Sequence, residues 1–323
     1  MNRINRTLWL ALLAIAAALP THSRATDYPS RPVKLVVSYP PGGSNDALAR
    51  IFAQWLTDKL GQPFIVENKP GAGNNLGVAT VVNAPADGYT MLLTNPANAS
   101  NATLYKNLKF DFLRDIVPVA GLARSPQVMV VTNTLPVQNV QEFIDYCKAH
   151  PGQINMGSAG IGGSLHLAGE LFKSMTGCEM VHIPYKGSNL ALMDLIAGHV
   201  QVMFDNLPSA IGQIRAGKVH ALAVTSEQTD LTLPQLPTVA ETIPGFQVTA
   251  WFGIGMPRGT PRAIVERVNA EVNRALADPT IRTRLAELGS TPMPGTPEDL
   301  GSLVAVETAR WGKVVAAIGA TAE

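Results

Sequence analysis

The chain has 323 residues, a formal charge of +1, 46% hydrophobic and 15% charged residues. That composition excludes a disordered chain, and the even scatter of basic residues excludes an electrostatic footprint for nucleic acid. The length accommodates one large or two medium domains.

At the start, Arg3 and Arg6 precede an unbroken apolar stretch over 8–19, which Pro20 breaks. Ser23-Arg24-Ala25 then offers a small-x-small cleavage site, completing the three-part pattern of a secretory signal. A membrane span needs roughly 20 apolar residues, more than this run supplies. Residues 1–25 are therefore read as a signal peptide cleaved near Ala25/Thr26. The mature chain is expected in an exported compartment with no membrane insertion, and no Cys near the cleavage site suggests a lipid anchor.

A strand over 33–39 leads through Pro40-Pro41-Gly42-Gly43-Ser44 into a helix over 45–60, whose Leu48, Ile51, Phe52, Trp55 and Leu56 share one face. A strand at 64–67, a helix at 73–84 and a strand at 89–94 follow. The runs 117–122 and 128–132, around Arg124-Ser125-Pro126, read as a strand leaving one lobe and entering another, and a helix over 139–149 comes next. Then the layout repeats. Ile154-Asn-Met-Gly-Ser158 leads into Ala159-Gly-Ile-Gly-Gly-Ser164 and a helix phased on Leu165, Ala168, Leu171 and Phe172. Strands follow at 180–184 and 200–206, with a helix at 188–197 between them and a strand at 219–225 after them. Residues 226–244 read as irregular, 251–256 as a strand returning to the first lobe, and 261–277, 280–288 and 297–318 as helices.

The repeat predicts an α/β protein of two lobes with mainly parallel sheets and helices on both faces. The first lobe is expected to comprise 26–124 and 228–323, and the second 125–227. Two crossover strands form the hinge, near 124–127 and 225–228.

Glycines at strand-to-helix turns let backbone N–H groups approach a ligand, and the helix behind supplies partial positive charge. Gly42-Gly43-Ser44 and Gly160–Ser164 both have this form, facing each other across the lobes and suited to a small anion. Neither is a nucleotide cradle: the first lacks GxxxxGK[ST], and the second lacks a suitably placed acidic partner for a ribose. Asp46 caps its helix or faces the ligand, Thr94-Asn95 and Asp205-Asn206 end strands at the cleft, and His166 follows the second loop. Ser158, His166 and His182 lack a GxSxG elbow and an evident acid, so catalysis is not expected. The two cysteines, Cys147 and Cys178, have no metal-ligand spacing, and whether they pair is left open. No metal and no cofactor are expected.

The chain resembles the Bug family, the periplasmic substrate-binding proteins of tripartite tricarboxylate transporters. The likeness is carried by Tyr28-Pro-Ser-Arg-Pro, Pro40-Pro-Gly-Gly-x-x-Asp-x-x-Ala-Arg50, Leu60-Gly-Gln-Pro, Glu67-Asn-Lys-Pro-Gly-Ala-Gly and Asp87-Gly-Tyr-Thr. His166-Leu-Ala-Gly-Glu-Leu-Phe, His182-Ile-Pro-Tyr-Lys-Gly, Leu222-Ala-Val-Thr, Leu236-Pro-Thr-Val and Arg310-Trp311 continue it over the whole mature chain. It implies a flytrap of the type II-like periplasmic binding protein kind, a monomer that closes on a small carboxylate, aliphatic or aromatic, and delivers it to the membrane permease. By position, Tyr39, Gly42, Gly43, Ser44 and Asp46 face Ser158, Ala159, Gly160, Gly163, Ser164 and His166, while Thr94, Asn95, Tyr185, Asp205 and Asn206 line the remainder. Tyr39 stands where the family usually has Phe. A sensory receptor signalling to a membrane kinase, or an enzyme on the same fold, are the alternatives.

Overall fold

A computed structural model of the protein describes residues 28–317, 319, 321 and 322, so the expected signal segment lies outside the described residues. In chain order the elements are β1 (Val33–Val37), α1 (Ser44–Leu60), β2 (Phe64–Asn68), α2 (Asn75–Val82), β3 (Thr90–Thr94), α3 (Pro96–Leu104), α4 (Phe112–Asp115), β4 (Ile116–Val131) and α5 (Val140–Ala149). They continue with β5 (Ile154–Ser158), α6 (Ser164–Thr176), β6 (Met180–Pro184), α7 (Ser188–Ala197), β7 (Val202–Asn206), α8 (Leu207–Arg215) and β8 (His220–Val224). The last are α9 (Val239–Thr242), β9 (Thr249–Pro257), α10 (Arg262–Ala277), α11 (Pro279–Glu287), β10 (Thr291–Pro292) and α12 (Pro297–Ala317).

The strands form one mixed, ten-stranded sheet in the order β2-β1-β3-β9-β4-β7-β5-β6, with β8 and β10 also paired to β4. Its outer parts are parallel, β1 with β2 and β3, and β5 with β6 and β7. The centre is antiparallel, so the expectation of mainly parallel sheets holds only at the two flanks. The cause is β4, whose 16 residues run unbroken through both lobes. Residues Ile116–Pro126 pair with β9, and Gln127–Val131 pair with β7 and β8, each running opposite to it.

Both faces of each half are buried, which is why the strands read as continuous apolar runs rather than alternating ones. Val33, Leu35 and Val37 of β1 enter a cluster with Leu48, Phe52 and Leu56 of α1 and Val265, Val268 and Val272 of α10. Val36 and Leu92 face the other way, toward Val78 and Val81 of α2 and Leu300 and Val304 of α12. The second lobe divides likewise: Met129, Val131 and Phe204 pack with Phe143 and Phe172, while Val128, Val130 and Met203 pack with Leu192, Leu195 and Ile211.

Packing divides the segment 228–323 differently from the sequence expectation. Val239, Ile243, Phe246 and Val248 join the second lobe's cluster, because α9 docks there before the chain returns through β9. Trp311 and Val315, in the second half of α12, join that cluster too, although Leu300 and Val304 of the same helix pack on the first lobe. Cys147 and Cys178 are both buried free thiols in the second lobe's cluster.

Candidate functional site

Five helices begin around one cavity between the lobes. Its lining includes Gly43, Ser44 and Asn45 at the start of α1, Asn95 and Pro96 at α3, and Ser164 and Leu165 at α6. Gly187, Ser188 and Asn189 at α7 and Asn206 at α8 join them, with Tyr39, Pro40, Ala159 and Phe252 filling the walls. Helix N-termini leave their first N–H groups without intrahelical partners and carry partial positive charge. Side chains usually cap these groups, yet at α1, α6, α7 and α8 the N-cap residues Gly43, Gly163, Gly187 and Asn206 make no side-chain cap. Only α3 is closed by its own side chains: Asn95 accepts from the Ala97 N–H and Asn98 reciprocates to the Asn95 N–H. Four termini without side-chain caps border one cavity, and each offers an anion about 0.3–2 kcal/mol of favourable interaction. Among the described residues no Arg or Lys lines this cavity, so its lining offers backbone N–H, amide and hydroxyl groups.

The cleft is closed. Asn206 Nδ2 donates to Ser44 Oγ at 3.1 Å, Asn189 Nδ2 to the Pro41 carbonyl at 3.3 Å, and Ser100 Oγ to the Gly162 carbonyl at 2.7 Å. Around it lie buried side-chain atoms with no partner among the described residues: Asn45 Oδ1, Asn95 Nδ2 and Asn206 Oδ1.

Of the residues expected at the site, Tyr39, Gly43, Ser44, Asn95, Ala159, Ser164 and Asn206 line this cavity. Gly160 and Tyr185 line a second cavity instead, which Tyr39 and Ala159 also border. Thr94 lines a third, apolar one beneath α12. Gly42, Asp46, Ser158, Gly163, His166 and Asp205 line none of the three; they shape what does.

Asp46 is the clearest case. Its carboxylate accepts from the Gly42 N–H at 3.1 Å, from Arg50 through both oxygens at 2.9 Å, and from Asn68 Nδ2 at 3.0 Å. It therefore braces the first glycine loop from behind. Burial pushes its pKa up, but the hydrogen bonds from Arg50, Gly42 and Asn68 outweigh that and hold it below the usual value. His166 does the same for the second loop: the Gly162 N–H donates to its Nδ1 at 3.2 Å, and its ring stacks on His182 at 3.9 Å. Burial lowers both imidazoles, His166 to about 4 and His182 to about 3, so both are neutral acceptors near pH 7. Ser158 Oγ lies 2.6 Å from His182 Nε2, but it is fully buried and engages the Gly160 backbone, which makes it a loop brace rather than an accessible nucleophile. Asp205 is fully buried, and burial raises it to about 7 against the opposing hydrogen bonds of Ser209 and the Asn206 N–H. Burial likewise raises the Tyr39 phenol to about 12, keeping it a neutral hydroxyl.

Sequence reasoning missed α3 and α8, and with them two of the five helix starts. The signal was present as Asn95-Pro96 and Asn206-Leu207-Pro208, an N-cap residue type followed by Pro in the first turn. It also missed Ser188 and Asn189, which carry α7 to the cavity.

Among the described residues, no group of three or more His, Cys, Asp or Glu side chains could hold a metal, and no helix is long and apolar enough to cross a membrane. Residues 48–320 match the family described as "Tripartite tricarboxylate transporter family receptor". BugT of Bordetella pertussis is 36% identical over 323 residues, 98% of this chain and 99% of that protein. A structure of an R. palustris protein with adipate superposes with a TM-score of 0.89 at 39% identity, covering 91% of this chain and 99% of that one. MatC of Rhodopseudomonas palustris with bound malate gives a TM-score of 0.85 at 34% identity, covering 89% and 100%. BugD, a periplasmic binding protein, gives a TM-score of 0.88 at 34% identity, covering 92% of this chain and 100% of that one. The chain belongs to the tripartite tricarboxylate transporter receptor family, the Bug-type solute-binding proteins.

Proposed function

We propose that the protein is a periplasmic receptor that captures a small carboxylate between its lobes and delivers it to a tripartite membrane transporter. The observation that carries this reading is the gathering of four helix N-termini without side-chain caps, one from the first strand–glycine loop–helix repeat and three from the second repeat and the helices that follow it, around one cavity. A carboxylate supplies two acceptor oxygens for N–H groups that no side chain satisfies, and it does so without a cationic clamp. The relatives with adipate and malate support the same ligand class. Residues Gly43, Ser44, Asn45, Ser164, Leu165, Ser188 and Asn189 would hold the carboxylate, and Asn95 and Asn206 would orient it.

Capture follows from the hinge. An open form binds the acid on one lobe, and closure completes the ring of donors and forms the contacts of Asn206 with Ser44 and Asn189 with Pro41. The closed molecule then presents a surface composed of both lobes, which the permease recognises.

Thermal unfolding of the chain from Thr26 onward, across carboxylic acids and their matched amides, tests this. An acid at a hundred times its Kd should add about 2.7 kcal/mol of stability and raise Tm by several degrees, and its amide should not. An equal shift with acid and amide, or no shift with any acid, contradicts the reading. Co-purification with permease subunits rather than with a membrane kinase separates delivery from sensing.

A further inference from the structure

Cys147 and Cys178 are the only cysteines in the chain, and neither lines the cavity at the helix starts. The fold brings them together. Cys147 lies in the last turn of α5, and Cys178 lies between Gly177, which ends α6, and the start of β6. The parallel register of β5 and β6 sets Ile154 beside Met180, so the residues just before β6 run alongside the turn that closes α5. The Glu179 carbonyl fastens that junction, accepting from the Gly152 N–H at 3.1 Å and from the Cys147 thiol at 3.9 Å. The Cys147 thiol also meets the sulfur of Cys178 in a hydrogen bond. Both side chains are buried in the second lobe's apolar cluster, at 0% and 3% exposure.

Two chemistries are open to such a pair. As core filling, each thiol acts as a small hydrophobe with a weak donor, and the contact between the sulfurs adds little. As a redox pair it is complete. The two sulfurs are neighbours in space but far apart along the chain, and residues 1–25 carry the pattern of export to an oxidising compartment. The hydrogen bond from Cys147, with help from Thr176 and the Lys148 ammonium, holds the Cys178 thiol below its usual pKa against the effect of burial. Cys178 is thus the sulfur that ionises first.

We propose that Cys147 and Cys178, free thiols in this structure, are joined by a disulfide in the exported protein, and that this bond braces the second lobe's half of the anion site. It closes residues 148–177 into a covalent ring that holds β5, the second glycine loop and α6. The bond forms as the lobe folds, before the core covers the sulfurs. The Cys178 thiolate attacks the disulfide of an exported thiol–disulfide oxidoreductase and displaces one of its sulfurs; the Cys147 sulfur then displaces the other from the mixed disulfide. The chain's two thiols give up two electrons and two protons, and the oxidant's disulfide takes up both to become two thiols. The bond lies at the start of β5 and β6, the opposite end of these strands from the glycine loop after Ser158, so it acts on the stability of the lobe. It rests on export of the chain and is independent of which cargo the cleft holds.

The test uses the full chain recovered from the exported fraction of cells without reductant. Mass spectrometry after denaturation and iodoacetamide treatment should find no alkylated cysteine and a mass lower by two hydrogens. Non-reducing digestion should give one linked pair of peptides carrying Cys147 and Cys178. The same protein, unfolded and refolded in dithiothreitol, should unfold about 5 °C or more below the oxidised form. The double variant Cys147→Ser/Cys178→Ser should unfold at one temperature with and without reductant. Two alkylated cysteines in the exported protein, or a disulfide that links two chains, overturns the inference. Equal unfolding temperatures for the oxidised and reduced native chain overturn the bracing role.

Discussion

At Gly43 the backbone has φ −92°, a conformation open to any residue, yet a Cβ there would lie 3.3 Å from Ser188 Oγ across the cleft. The close approach of the lobes, rather than its own turn, is what a side chain at this glycine would meet. Gly43→Asp should leave the unfolding temperature of the ligand-free protein nearly unchanged and weaken carboxylate binding at least about tenfold. A like charge some 4 Å from the bound anion costs of order 1–4 kcal/mol. Calorimetry checks it, with Gly43→Ala separating bulk from charge; unchanged affinity in the Asp variant removes the loop from the site. Asp205 yields a pH prediction. Its pKa is raised from 3.8 to about 7, so between those values the folded state keeps a proton that the unfolded state has released. Its contribution is therefore fully present below about pH 4 and lost as pH rises through about 7. Asp205→Asn, which keeps an acceptor for Ser209 and the Asn206 N–H, should gain stability relative to the native chain from pH 5 to pH 8. Denaturant melts at the two pH values decide it, and a constant difference contradicts the buried carboxyl.

The hinge is an element-scale device built around one hydroxyl. The Gln127 N–H donates to Thr225 Oγ1 at 2.9 Å, and that hydroxyl donates to the Val248 carbonyl at 2.6 Å. The Thr225 N–H reaches the Gln127 carbonyl at 2.8 Å, and the Val248 N–H reaches the Thr225 carbonyl at 3.0 Å. One threonine thus ties the outgoing strand β4 to both ends of the return path. Thr225→Val preserves shape but strands a buried N–H and carbonyl, and should cost about 1–3 kcal/mol in denaturant unfolding, with Thr225→Ser costing less. Equal stability in all three proteins would show that the hydroxyl does not hold the crossing. The hinge was legible in the sequence near Arg124–Gln127 and Thr225 because Pro126 and the flanking apolar runs marked it. Its partner Val248 was not, because it falls between the stretch read as irregular, 226–244, and the strand read at 251–256, and its docking depends on contacts distant in sequence. The glycine loops were legible as strand-to-helix turns because each places glycines and a serine between an apolar strand run and a helix-phased run. Asp46 and His166, adjacent to those loops, were assigned to the ligand because position along the chain does not disclose which way a side chain turns.

The two lobes are joined by more than the crossing strands. Helix α12 packs Leu300 and Val304 on one lobe and Trp311 and Val315 on the other. Trp311 donates from Nε1 to Glu307 Oε2 at 2.9 Å, and Arg310 reaches the Gln247 carbonyl next to the return crossing. The helix thus spans both clusters alongside the crossing strands. The internal repeat announced two lobes, but α12 could not be placed from sequence. Its amphipathic pattern is the same whether it serves one core or two. At this scale the central claim is that helix starts from both lobes meet on a single carboxylate. The most direct measurement is a crystal structure with the acid that raises Tm most. The account predicts one carboxylate between the lobes, its oxygens about 3 Å from backbone N–H groups at the starts of both α1 and α6, near Ser44 and Ser164. An acid bound elsewhere, such as the apolar cavity beneath α12, or held by one lobe of a closed molecule, would contradict it.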